Sequence, residues 1–258
     1  RIVLASKCGM TGVDGKRVID GRPEVLKRTC HEALQRLKTE RIDLYYLHRW
    51  DKRIPIEESI GALAELVKEG LIGAIGLSEV SSATIRRAHA VHPIAAVQSE
   101  YSLWSRAPEA VLQTCREIGA TFVAFSPLGR GFLAGAVRDP ATLTEKDLRR
   151  GMPRFQEPHF ARNLEVLARF EALAREAGCT SAQLALAWLL AQPNVLPIVG
   201  TRSIAHLEED LAAAKLSLPS EILRRAEEIV NETTVSGARY PAATLAEIDT
   251  EEPQPDAR

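Results

Sequence analysis

Neither sign of charge is in excess: 33 Lys and Arg against 34 Asp and Glu leave a formal net charge of -1 over 258 residues. That removes the electrostatic case for nucleic acid or an acidic membrane surface as partners, and any phosphate recognition has to be local. No two of the four cysteines, Cys8, Cys30, Cys115 and Cys179, have CxxC spacing, and no histidine stands at zinc-ligand spacing from them. They read as isolated, reduced thiols, which favours a cytoplasmic location, and no metal site is expected. No apolar run is long enough to cross a bilayer. The opening RIVLASKCGM is too short in its apolar part for a signal peptide. No GxGxxG follows the first strand-like run, and the Gly-rich string SPLGRGFLAG lies past mid-chain with the wrong spacing, which argues against a Rossmann domain.

What is present is ordinary globular composition, 45% hydrophobic and 26% charged, and a regular alternation. Short apolar runs at 2–5, 43–47, 72–75, 95–98, 121–125 and 195–199 have the character of strands buried on both faces. Helical patterns follow at 23–38, 56–68, 81–90, 108–118, 164–177 and 204–211, with a last helix at 219–230. Ser81 and Ser203 suit N-caps, Pro23, Pro55 and Pro108 suit helix starts, and Gly70, Gly119 and Gly178 suit the left-handed residue after a helix. Such alternation implies a parallel sheet of right-handed βαβ units, and a barrel fits better than a doubly wound sheet. The stretch 131–163 interrupts the rhythm and reads as a lid or cofactor clasp. Positions 1–240 are read as one barrel domain and 241–258 as a Pro-rich, acidic, mobile tail.

Lys7 and His48 both fall at the ends of strand-like runs, the face where barrel enzymes place their chemistry. Singly, each has a plainer reading, a solvated lysine and a hydrogen-bonded rim histidine. Together they suggest a polarised carbonyl or a proton relay. Neither group moves hydride, so a cofactor must. Gly200, Thr201 and Arg202 stand between the last strand and a helix N-terminus, where backbone N–H groups and a guanidinium bind phosphate; the alternative is a turn with a solvated arginine. Ser126, Gly129 and Gly131 in FSPLGRG permit close backbone approach or form a tight turn and nothing more. Gln98 is either a carboxamide reader or a polar strand end. Trp50 and Trp104 suit a pocket wall, and Trp188, in LALAWLLAQ, suits the core.

Read in order, VLASKCG, RIDLYYLHRWD, ALAELVKEGLIGAIGLSEVS, AVQSEYSLWSR, AFSPLGRGFLAG, AQLALAWLLAQ and IVGTRSIAHLEEDLAA resemble the aldo-keto reductase family across nearly the whole chain. The resemblance implies a (β/α)8 TIM barrel that binds NADPH without a Rossmann domain and reduces aldehydes or ketones. Lys7 then resembles the lysine that tunes a catalytic tyrosine, and His48 the histidine that orients the carbonyl oxygen. Ser78, Glu79 and Gln98 match the nicotinamide-carboxamide positions, with Glu79 where many members have asparagine. Phe125 matches the ring that stacks on nicotinamide, and Ser126, Leu128 and Arg130 match pyrophosphate contacts. Gly200, Thr201, Arg202, His206, Glu209 and Asp210 fall at the adenosine 2′-phosphate and adenine end, His206 and Asp210 departing from the commoner Arg or Gln and Asn.

The resemblance also places the tyrosine acid and its aspartate partner before the lysine strand, upstream of Arg1. The expectation is therefore of a chain lacking the family's first two strands, since six strand–helix units are visible where a closed barrel needs eight, and a six-strand remnant would expose two unpaired edges. Without that acid the proton step should lose on the order of 10²-fold. The partner expected is a small-molecule carbonyl compound. The alternative is a catalytically impaired, cofactor-binding regulatory or scaffold subunit of the same family. A barrel isomerase or lyase is weaker, because it leaves Gln98 and Phe125 without a use.

Overall fold

The computed structural model describes residues 2–13 and 16–250, and from Pro23 to Phe125 helix and strand alternate without exception. The order is β1 (Ala5–Cys8), β2 (Met10–Val13), β3 (Lys16–Ile19), α1 (Pro23–Leu37), β4 (Ile42–Leu47), α2 (Ile56–Lys68), β5 (Ile72–Ser78), α3 (Ser82–Val91), β6 (Ile94–Glu100), α4 (Glu109–Ile118), β7 (Thr121–Phe125), α5 (His159–Glu176), α6 (Ser181–Leu190), β8 (Val195–Ile198), α7 (Ile204–Ala213), α8 (Ser220–Ile229) and α9 (Ala242–Leu245). The chain divides into two compact units, one holding residues up to Ser99, Glu109–Phe122 and the stretch from Glu247, the other holding Glu100–Pro108 and Val123–Ala246.

In the first unit β1, β4, β5 and β6 lie side by side in that order, every neighbouring pair parallel. Parallel strands are covered on both faces, and β4 accordingly buries Ile42, Tyr45, Tyr46 and Leu47. Gly76 in β5 is a packing requirement: a β carbon there would run into the ring of Tyr46, its partner in the β4 register. Helices start as the caps dictate. Pro23 opens α1, and the Ser81 hydroxyl accepts from the Thr84 N–H at the start of α3. Gly70 and Gly119 follow α2 and α4 in left-handed conformation, at φ 78° and 73°.

In the second unit the end of β7 neighbours β8, and α5 to α8 surround a core that includes Phe160, Leu167, Phe170 and Trp188. Trp188 is fully buried, as its apolar context predicts, and its indole N–H donates to Glu227 at 2.7 Å. The interrupting stretch holds three short 3-10 turns, Pro140–Thr142, Leu148–Gly151 and Pro153–Phe155.

Several boundaries differ from the sequence pattern. β1 begins at Ala5, not at 2, so Lys7 lies inside the strand. The reason is pairing: the β4 register begins at Ala5 opposite Leu44, while Ile2 and Val3 are 81% and 75% exposed. Helix α5 starts at His159, ahead of 164. Helix α6 escapes an amphipathic search because it is apolar nearly all round, although its capping box, Thr180 with Gln183, was legible. The β2–β3 hairpin was not anticipated; Val13 pairs with Lys16, and the two residues between them lie outside the described ones. β8 is not buried on both faces, since Leu196 and Ile198 are 53% and 40% exposed on a strand that ends the neighbour order. Of the expected tail, residues 242–250 carry α9 and a set of anchoring contacts, and 251–258 lie outside the described residues.

Candidate active site

The parallel register of the first unit sets Lys7, His48, Ser78, Glu79 and Gln98 along the C-terminal edge of four adjacent strands. Lys7 pairs with Tyr46 and sits 5.8 Å from that ring's centroid, while the His48 N–H donates to the Cys8 carbonyl at 2.8 Å. Ser78 pairs with Gln98, and the Glu79 N–H donates to the Gln98 carbonyl at 3.1 Å. Burial raises the Tyr46 phenol pKa, and the Gln98 side chain opposes that shift.

Sequence reasoning missed Arg49. It is buried, and its guanidinium donates to the His48 carbonyl at 2.7 Å and to the Ser78 hydroxyl at 3.4 Å. Burial and then the charges of Arg49, Lys7 and Arg17 push the His48 imidazole down from 6.5 to about 4, with Glu79 opposing. The imidazole is therefore neutral at neutral pH. Lys7 is exposed as a residue, yet its ammonium is partly withdrawn from water, and this together with Arg49 lowers its pKa.

Glu79 is almost fully buried and left-handed, at φ 56°. A strap from the expected tail secures it: the Asp249 N–H donates to the Glu79 carbonyl at 3.0 Å, and the Thr250 hydroxyl donates to the Glu79 carboxylate at 3.2 Å. The Asp249 carboxylate in turn accepts from the Ser81 N–H (3.0 Å), the Ser81 hydroxyl (2.8 Å) and the Thr84 hydroxyl (2.6 Å), capping α3 from the far end of the chain. Lys52 donates to the Ile248 carbonyl at 2.8 Å, and Arg17 pairs with Glu247.

The remaining predicted residues meet in the second unit around a cleft of about 1750 Å³. One wall is the turn after β7, contributing Phe125, Ser126, Leu128 and Arg130; the other is the turn into α7, contributing Gly200, Thr201, Arg202, His206, Glu209 and Asp210. Ser126, Gly129, Arg130 and Gly131 all have positive φ, 51° to 87°. Glycine is required at 129 because a β carbon would come 2.7 Å from the Trp104 ring. Among the described residues the Leu128 and Arg130 N–H groups donate to nothing. Ser203 caps α7 by accepting from the His206 N–H, and Arg202, exposed, has no ion pair among the described residues. Burial, then Glu209, raises the Asp210 pKa against His206.

The cleft also holds arginines that the sequence did not single out. Arg138 pairs with Glu171, and Arg149 pairs with Asp147, whose carboxyl it holds down to about 2, and donates to the Arg130 carbonyl at 3.0 Å. Trp104 does not line this wall; it stacks on Phe132 at 4.1 Å within a buried aromatic cluster. The Trp50 indole donates to the Ile54 carbonyl at 2.8 Å, and the Arg87 guanidinium lies 5.8 Å from its centroid. All four cysteines are free. Among the described residues there is no metal-binding cluster and no helix long and apolar enough to cross a membrane.

Comparison with known proteins decides the lineage, for the aldo/keto reductase family model matches residues 1–231. The chain belongs to the aldo/keto reductase family. It is 41% identical over 256 residues to aldo-keto reductase str7 of Strobilurus tenacellus, spanning 97% of this chain and 75% of that protein. Against aldo-keto reductase yakc [NADP(+)] of Schizosaccharomyces pombe it is 42% identical over 254 residues, spanning 96% and 75%. Among solved structures it is similar to the glycerol dehydrogenase AKR11B4 from Gluconobacter oxydans, with TM-score 0.81, 30% identity and coverage of 87% and 71%. It is also similar to the thermostable aldo-keto reductase Tm1743 in complex with epalrestat, with TM-score 0.65, 32% identity and coverage of 81% and 67%. The parallel α/β fold is that of the family's (β/α)8 barrels.

Proposed function

We propose that this aldo/keto reductase binds NADPH and serves the reversible reduction of aldehydes or ketones to alcohols. The supporting observation is the convergence of two distant stretches, 125–130 and 200–210, on one cleft whose donors suit a phosphorylated dinucleotide. Its volume of about 1750 Å³ exceeds the roughly 300–1,000 Å³ of ordinary ligand pockets, as an extended cofactor requires. The uncommitted Leu128 and Arg130 N–H groups, the Arg130 and Arg202 guanidiniums and the N-terminus of α7 all favour anions. Arg202 and His206 would hold a 2′-phosphate, and Glu209 and Asp210 would accept from ribose or adenine donors. In the first unit the Ser78 hydroxyl and Gln98 amide offer the donors and acceptors that a carboxamide needs.

When bound, NADPH supplies the hydride. The protein supplies polarisation. Neutral His48 donates a hydrogen bond to the carbonyl oxygen, and the positive charges of Lys7 and Arg49 favour the negative charge that develops on it. Low His48 basicity keeps the imidazole from holding a second proton at neutral pH, so its role is orientation rather than acid catalysis, and the proton that completes the alcohol is drawn from water.

Titrating the 258-residue chain with NADPH and NADH, following nicotinamide fluorescence, tests the cofactor half. Saturable binding that favours NADPH is expected, and Arg202→Ala should weaken NADPH about tenfold more than NADH, the scale of one charge-assisted contact to phosphate. No binding by a chain that circular dichroism shows to be folded would refute the reading.

A further inference from the structure

Beside the cleft lies a buried ionic cluster that the reaction as described does not use. Glu100, 3% exposed at the end of β6, accepts through one carboxylate oxygen from Arg130 (2.9 Å), Tyr240 (3.0 Å) and Arg239 (3.4 Å), and through the other from the Ser105 hydroxyl (3.2 Å). Tyr240 accepts from the same Arg130 nitrogen, Nη2, and lends its ring to both guanidiniums at 5.2 and 4.8 Å. One carboxylate thus serves two cations. A carboxylate this deep is costly unless paired, and the pairing here is heavier than neutralisation needs.

The arrangement fixes one end of Arg130 and leaves the other. Both side-chain bonds of Arg130 use Nη2, while Nε and Nη1 donate to nothing among the described residues, and the side chain is 20% exposed where it lines the cleft. Arg149 holds the same residue's carbonyl, and its backbone sits at φ 58°. We propose that Glu100 and Tyr240, with Arg239, form a positioning network that holds the free edge of Arg130 ready for the pyrophosphate of the cofactor. An arginine held by its neighbours loses little rotamer freedom on binding, and the network turns that economy into affinity. The inference rests on the NADPH reading above and adds to it residues 100 and 240, which touch no cofactor themselves.

A double-mutant cycle on the full 258-residue chain separates positioning from mere structure. Tyr240→Phe keeps the ring and removes the hydroxyl. It should weaken NADPH about five- to tenfold, because Arg130 loses one of the two acceptors that hold its Nη2. It should leave adenosine 2′-monophosphate, which has no pyrophosphate, unchanged. In an Arg130→Met background the Tyr240→Phe effect should vanish. Equal losses in both backgrounds, or equal weakening of both ligands, would overturn the network. Failure of the unmutated chain to bind NADPH would instead remove the cofactor reading, and this inference with it. Should Tyr240→Phe unfold the chain, the unmutated protein still decides: the Arg130 Nη2 protons, held by Glu100 and Tyr240, should give resolved, slowly exchanging ¹H–¹⁵N resonances without cofactor, and freely averaged ones would refute a held guanidinium.

Discussion

Acidification is the perturbation to which His48 should respond in a characteristic way. Its imidazole is depressed from 6.5 to about 4 by burial first, then by the positive charges of Arg49, Lys7 and Arg17. Between those two pH values the unfolded chain binds a proton that the folded chain refuses, so stability falls as pH falls through that window and levels off below it. At about 1.4 kcal/mol per pH unit the full interval is worth roughly 3 kcal/mol, and screening of a partly exposed group brings this to about 2 kcal/mol. The assay is two-fold. The His48 ring-proton NMR titration should have its midpoint near 4. Urea unfolding at pH 7.5 and 4.5, compared with His48→Gln, should show the unmutated chain losing about 2 kcal/mol more on acidification, because glutamine has no proton to gain. A midpoint near 6.5, or no difference between the chains, would refute the claim that His48 is held neutral by burial and its cationic neighbours. Arg49→Met should move the midpoint upward, since it removes the charge that lowers it most.

Two further outcomes follow from packing and capping. Asp249→Ala removes the acceptor of three hydrogen bonds at the start of α3 and should cost about 2 kcal/mol, lowering the melting temperature by about 4–8 °C without disturbing α6 or Trp188 fluorescence; an unchanged melting temperature would mean that the strap does not hold Glu79 and α3. Gly76→Ala places a methyl against the Tyr46 ring inside a buried parallel sheet and should destabilise by about 1–3 kcal/mol in urea unfolding; a neutral result would show that β4 and β5 can part to admit it.

The sequence was legible where one physical rule acted alone. Strands β4 to β6 are short apolar runs because both faces are covered, and their parallel pairing with one another and with β1 brings Lys7, His48, Ser78 and Gln98 together by register rather than by chance. The two stretches of the cleft were readable because each joins a strand to loop or helix backbone that suits anions. Arg49 was not readable. An arginine next to a strand end is ordinarily solvated, whereas this one is buried and donates to Ser78 on the adjacent strand, a partner 29 residues away that is not visible at its own position. The same holds for Asp249, which caps a helix 168 residues away from it, and for Glu100, whose partners Arg239 and Tyr240 stand 139 and 140 residues later. Local patterns thus mark the groups at the strand ends. The residues that set their charge, orientation and readiness come from the rest of the chain, so substitution at Arg49, Asp249 or Tyr240 is where a structural reading and a motif reading predict different things.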